Sequence, residues 1–295
     1  MRKKLFYIST SGSSASVWLA RTLSMHDEMT VSHGTDIPDF RTPNEFLEYY
    51  EPLLTKSHCF LGAIHMSDAH GCRMRLPMLN FGGSFAGMLR DPINRTCSQF
   101  SAKNQAEFQT RPGRERLFRS HADTAEIHAA CLKFLGRAEL QPSQIEFLRA
   151  TIQTLRNDLD LMCNATPDEL FFYETLVSDP REYRRLCAHI SQGQLTIEKS
   201  LETAIYETGV VNPHLPKRGQ TSEELFFSLS DDLKAIFTIA VMVYSYRGGI
   251  VKRYREFGFD VTSPLGKDLI SNAKSTIASI QFSPLVWQTV LKPGL

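Results

Sequence analysis

Two clusters in this chain have the residue types and spacing to hold a phosphate-like anion. The first is Ser9-Thr10-Ser11-Gly12-Ser13-Ser14-Ala15-Ser16, which lies between an apolar strand-like run and a helix-like run. Small side chains at Ser11, Gly12, Ser13, Ser14 and Ala15 let backbone N–H groups come close to an anion. The N-terminus of the following helix adds about half a positive charge, and the hydroxyls of Ser13, Ser14 and Ser16 can donate further hydrogen bonds. The loop meets neither GxxxxGK[ST] nor GxGxxG, and residue 16 is Ser where a nucleophile elbow needs Gly. The competing reading is a serine-rich turn with a helix cap.

The second cluster is Arg90-Asp91-Pro92-Ile93-Asn94-Arg95-Thr96-Cys97-Ser98-Gln99-Phe100. Asp91 suits a helix cap, and Pro92 suits the first helical turn, where its missing N–H is harmless. Arg90 would then stand at the carboxyl edge of a sheet, where open α/β folds bind ligands. Ser98 follows two turns along the helix. A guanidinium and a hydroxyl converging there suit a phosphate monoester. Here the alternative is a capped helix with a surface arginine.

These motifs need elements to carry them. Residues 4–9 form an apolar run with aromatic and β-branched members, as expected of a buried strand, and Val17 opens a helix. Further strands are predicted at 59–66, 85–89 and 170–173. Helical patterns cover about 43–55, 92–109, 115–137, 142–162, 180–192, 222–229 and 230–257. Strands alternating with helices predict an α/β fold with a parallel sheet and crossovers. The stretch 101–165 is expected to be a helical insertion, and 262–295 a polar C-terminal extension packed on the domain.

Together, the two motifs resemble the cofactor signature of the PAPS-dependent sulfotransferase superfamily. Ser11-Gly12-Ser13-Ser14 is similar to the core of that family's [KR]-[ST]-G-[ST]-[ST] loop. Arg90 through Phe100 meets R-[DN]-P-x-x-R-x-x-S-x-[YF] at every defined position. Phe172-Tyr173-Glu174-Thr175-Leu176 resembles the family's Tyr-Glu-Asp-Leu segment, and Val211-Asn212-Pro213 with Lys217-Arg218-Gly219 resembles its closing section.

The resemblance spans about residues 4–261, and it implies a P-loop-like three-layer fold with a central parallel sheet of about five strands flanked by helices. It implies 3'-phosphoadenosine 5'-phosphosulfate as sulfuryl donor, 3'-phosphoadenosine 5'-phosphate as product, and no metal. The 5'-phosphosulfate would be held by Ser11, Gly12, Ser13, Ser14, Ala15 and Ser16. Arg90 and Ser98 would hold the 3'-phosphate. Tyr173 would lie near the adenine, and Lys217, Arg218 and Gly219 would close over the 3'-phosphate.

One position departs from the family: Thr10 stands where Lys or Arg normally precedes Ser-Gly. Either another cation substitutes (Arg21, Arg95, Lys217 or Arg218), or transfer is slow, or the chain binds the nucleotide without transferring. Three residues are candidates for the general base. His65 ends the 59–66 strand, in a place similar to the catalytic His of small-molecule members. Asp36 and His33, in Ser32-His33-Gly34-Thr35-Asp36, lie where carbohydrate-modifying members often carry a carboxylate. The overall pattern is closer to bacterial and carbohydrate-type members, so a glycan or small-molecule hydroxyl is the expected acceptor.

The bulk numbers set limits on partners. Over 295 residues, Lys+Arg of 33 against Asp+Glu of 32 leaves a net charge of +1, which gives no sign of a nucleic-acid or membrane-surface partner. The six cysteines show neither CxxC pairs nor zinc-ligand spacing with histidine. His121 and His128 lie seven apart on a predicted helix, where a solvated face is favoured over a metal site. The apolar run after Met1-Arg2-Lys3-Lys4 is too short for a signal sequence, and nothing approaches the roughly 18 apolar residues of a membrane span. A cytoplasmic protein is the expectation.

Overall fold

Strands buried on both faces need apolar residues at consecutive positions, and two runs in this chain are fully buried six-residue strands. In the computed structural model these are β1 (Leu5–Thr10) and β4 (Ser84–Leu89). The structure describes residues 4–10, 16–33, 38, 40, 42–64, 72–104, 122–207 and 221–280. In chain order, the elements up to the middle of the chain are β1, α1 (Ser16–Leu23), β2 (Met29–His33), α2 (Pro43–Leu54), β3 (Phe60–Ile64), α3 (Arg75–Phe81), β4, α4 (Pro92–Asn104) and α5 (Ala122–Leu135). Then follow α6 (Pro142–Asn164), β5 (Leu170–Phe172), α7 (Tyr173–Leu176), α8 (Pro180–Ile190), α9 (Lys199–Glu207), α10 (Ser222–Ser228), α11 (Asp231–Gly248), α12 (Ile250–Glu256) and α13 (Lys267–Ala278).

The chain divides into two compact units. One comprises Met1–Arg90 with Asn164–Pro213, and the other Asp91–Cys163 with His214–Leu295. The first is the α/β unit and holds the five described strands, in the order β2-β3-β1-β4-β5, every pair parallel. On one sheet face Phe6, Ile8, Ala86, Met88 and Phe171 pack with Trp18 and Leu19 of α1 and with Tyr183, Leu186 and Ile190 of α8. On the other face Tyr7 meets Phe46 of α2 edge-on at 5.9 Å and Phe85 at 6.2 Å. The expected three-layer α/β arrangement with a five-stranded parallel sheet is thus present.

Two local features fix the sheet. Gly62 is the register partner of Phe6, and a Cβ there would lie 2.0 Å from the Phe6 ring, so only glycine lets that ring lie flat on β3. β5 is an edge strand, and Arg185 covers it. Its Nη2 donates to the Leu170 carbonyl at 2.7 Å and its Nη1 to the Asp168 carbonyl at 3.0 Å, while the guanidinium lies 3.8 Å from the Phe171 ring centroid. These contacts satisfy carbonyls that a further strand would otherwise pair with.

The second unit is helical. Its centre is α11, with ten consecutive buried residues from Ala235 to Tyr244 and α5 and α13 packed against it. A helix buried all round is the core of such a bundle. Ser230 caps its start through the Leu233 N–H, and Gly249, at φ 67°, ends it in the left-handed region that favours glycine. The helical pattern predicted as continuous over 230–257 is therefore two helices, broken at Gly249. No described helix is long and apolar enough to cross a membrane.

Candidate functional site

Because the five described strands are parallel, their carboxyl ends share one edge of the sheet. The chain leaves β1 toward β2 on one side of the sheet, whereas it leaves β4 toward β5 on the other. Connections therefore diverge between the neighbouring strands β1 and β4, and such a switch point is where open α/β sheets bind ligands. β1 ends at Thr10 and β4 at Leu89, so Thr10 and Arg90 stand beside this point.

Arg90 is 2% exposed. Its guanidinium lies 5.1 Å from the centroid of the Tyr173 ring, and its Nε is 3.9 Å from Glu174 Oε1. Tyr173 opens α7 directly after β5, the strand that pairs with β4, which is why residues so far apart in sequence meet here. Burial pushes the Tyr173 hydroxyl up to about 12, against the pull of Arg90, so it stays a neutral donor at physiological pH. The cluster offers a buried cation flanked by an aromatic face, with a carboxylate at its margin.

At the carboxyl end of β2, His33 Nε2 shares a hydrogen bond of 2.9 Å with Ser16 Oγ, the first residue of α1. The imidazole is thus fixed in orientation at the entry to the helix that follows the serine loop. Thr10, at the place of the family's loop cation, is buried at the end of β1. Arg21, one of the residues considered as a substitute, is exposed in the last turn of α1.

In the helical unit, the Asp91 carboxylate accepts from the Asn94 N–H at 2.8 Å, and Pro92 follows it at the start of α4, as the sequence predicts. Ser98 is 1% exposed, and its Oγ has no hydrogen-bond partner among the described residues. A buried hydroxyl left unpaired is unfavourable by about 1–3 kcal/mol, so each instance calls for an explanation. One turn earlier, Arg95 is fully buried and donates from Nη1 to the Asp158 carboxylate of α6. Tyr254 of α12 donates to the other Asp158 oxygen at 2.5 Å. Desolvation pushes the Asp158 carboxyl above its ordinary range, while Arg95 and the Tyr254 hydroxyl pull it down. Arg95 is therefore a locked side chain, not a mobile substitute for the loop cation.

Ser11, Gly12, Ser13, Ser14, Ala15, Asp36, His65, Lys217, Arg218 and Gly219 lie outside the described residues. Of the predicted site residues that are described, Ser16, His33, Arg90 and Tyr173 stand at the carboxyl edge of the sheet, and Ser98 stands on α4. Sequence reasoning missed Glu174 as a neighbour of Arg90, although it adjoins Tyr173. It also missed Asp158 and Tyr254, whose only signal is a carboxylate and a phenol on buried helix faces. Among the described residues no group of His, Cys, Asp and Glu side chains is arranged to hold a metal ion. A shallow cavity of about 530 Å³, lined by residues including Gly83, Phe85 and His189, opens at the amino end of β4, away from this edge. No family model, curated protein or solved structure matches this chain.

Proposed function

We propose that this chain is a sulfotransferase that moves a sulfuryl group from 3'-phosphoadenosine 5'-phosphosulfate to an acceptor hydroxyl, most suitably that of a carbohydrate. The observation that carries this reading is the buried, unpartnered Ser98 hydroxyl within a motif whose first residue, Arg90, is itself a buried cation beside an aromatic ring. The motif that contains them suits the 3'-phosphate, and the Tyr173 face beside Arg90 suits the adenine. The donor supplies a sulfuryl group already joined to a stable leaving phosphate.

The chain's own residues would do the rest by positioning and by charge stabilisation in a loose in-line transition state. Backbone N–H groups and hydroxyls of residues 11–16 take up the charge left on the 5'-phosphate. Lys217, Arg218 and Gly219 close over the 3'-phosphate. His65, Asp36 or His33 accepts the proton of the attacking hydroxyl, and for His33 the hydrogen bond to Ser16 would orient the ring for that task. None of the six thiols is in a disulfide, which suits a cytoplasmic setting.

A second reading, nucleotide binding with slow or no transfer, is favoured by one observation. Thr10 is buried where the loop cation would be, while Arg21 is exposed and Arg95 is held by Asp158. Incubation with sulfur-labelled donor and a panel of sugar, lipid and phenol hydroxyls separates the two. Label on a carbohydrate acceptor, lost in Arg90→Ala, is the expected result. Tight binding of the product nucleotide with no label on any acceptor would replace the first reading with the second.

A further inference from the structure

Buried ion pairs are weak stability devices, because desolvating two charges offsets most of their attraction. Apolar replacements of similar volume are often as stable or more so. The Arg95–Asp158 pair is a costly example, since the guanidinium Nε and Nη2 are also buried without partners among the described residues. What the pair does provide is geometry. Asp158 receives Arg95 of α4 on one oxygen and Tyr254 of α12 on the other, so one carboxylate on α6 fixes three helices in register. Asn94 of α4 adds a tie to α10, donating from Nδ2 to Ser222 Oγ at 3.0 Å.

The feature on α4 that needs such exact placement is Ser98, one turn beyond Arg95, with its buried and unpartnered hydroxyl. We infer that Asp158 and Tyr254 are positioning residues that act through Arg95 to hold the Ser98 hydroxyl in place for the 3'-phosphate of the nucleotide. This rests on the sulfotransferase reading of Ser98. Neither residue touches the ligand. Each sets where α4 stands, and misplacing a binding group by a fraction of an ångström weakens it without unfolding the protein.

The test is calorimetric titration of the full chain with 3'-phosphoadenosine 5'-phosphate and with 5'-AMP, on wild type, Tyr254→Phe, Asp158→Asn, Ser98→Ala and the Tyr254→Phe/Ser98→Ala double variant. Tyr254→Phe removes one hydrogen bond from Asp158 and keeps the ring volume, so it serves even if Asp158→Asn does not fold. It should weaken the 3'-phosphorylated nucleotide about fivefold, the scale of one hydrogen bond, and leave 5'-AMP unchanged. In the Ser98→Ala background the same change should have no further effect. Equal weakening of both nucleotides, no weakening of either, or an unchanged effect in the Ser98→Ala background would overturn the positioning role. Wild type that does not distinguish the two nucleotides would overturn the sulfotransferase reading itself, and the inference with it.

Discussion

The Arg95 guanidinium of α4 donates to the Asp158 carboxylate of α6, and neither side chain has any exposed surface. Removing one partner leaves an uncompensated buried charge, whereas removing both does not. Asp158→Ala should therefore destabilise the protein by about 3–5 kcal/mol, and Arg95→Met with Asp158→Leu by far less than the sum of the single changes. Urea unfolding of the two single variants and the double variant measures the coupling. Additive losses would mean that the pair is not a closed electrostatic unit.

Ser98 should behave in the opposite way. Its hydroxyl has no partner among the described residues to lose and is costly to bury unpaired, so Ser98→Ala should leave the protein at least as stable as wild type, with a gain of up to about 1–3 kcal/mol. The same variant should bind 3'-phosphoadenosine 5'-phosphate less tightly. A large loss of stability with unchanged nucleotide affinity would return Ser98 to a purely structural role.

His26 gives the α/β unit a pH dependence. Its ring stacks near-parallel on Tyr183 with centroids 6.2 Å apart, and its Nε2 is 3.4 Å from the Tyr183 hydroxyl and 3.9 Å from Cys187 Sγ. Burial lowers its pKa from 6.5, against the opposing pull of Asp27 and Glu28. The unfolded chain therefore takes up this proton first as pH falls. The stability contribution is complete above about pH 6.5 and is lost as pH drops through the lower folded value. Denaturant midpoints from about pH 7 to pH 5 should fall more steeply for wild type than for His26→Gln. Parallel pH profiles would show that His26 does not titrate differently on folding.

How much of this was legible in the sequence depended on how local the signal is. β1 and β4 are near-continuous apolar runs and were placed within a residue or two, as was the capped start of α4 at Asp91-Pro92. β2 gives a weak strand signal because Met-Thr-Val-Ser-His is short, alternates apolar with polar residues and buries only Met29 fully, as an edge position allows. α3 was hidden by Pro77 within its short sequence, and the helix Lys267–Ala278 lay in a tail expected only to be polar and packed on the domain. Arg90 and Ser98 stood out because their motif is contiguous. The partners of Arg95 did not, because Asp158 lies 63 positions away and Tyr254 lies 96 beyond Asp158. Contacts of that span are set by helix packing, which no local pattern encodes.

We propose that the motif running from Arg90 to Ser98 binds the 3'-phosphate of a sulfuryl-donor nucleotide. The most direct test is calorimetric titration with 3'-phosphoadenosine 5'-phosphate against 5'-AMP and ATP, repeated on Arg90→Ala. Wild type should bind the 3'-phosphorylated nucleotide selectively, with that selectivity lost in Arg90→Ala and ATP little affected. Equal affinity for all three nucleotides in wild type, or equal losses in the variant, would contradict it.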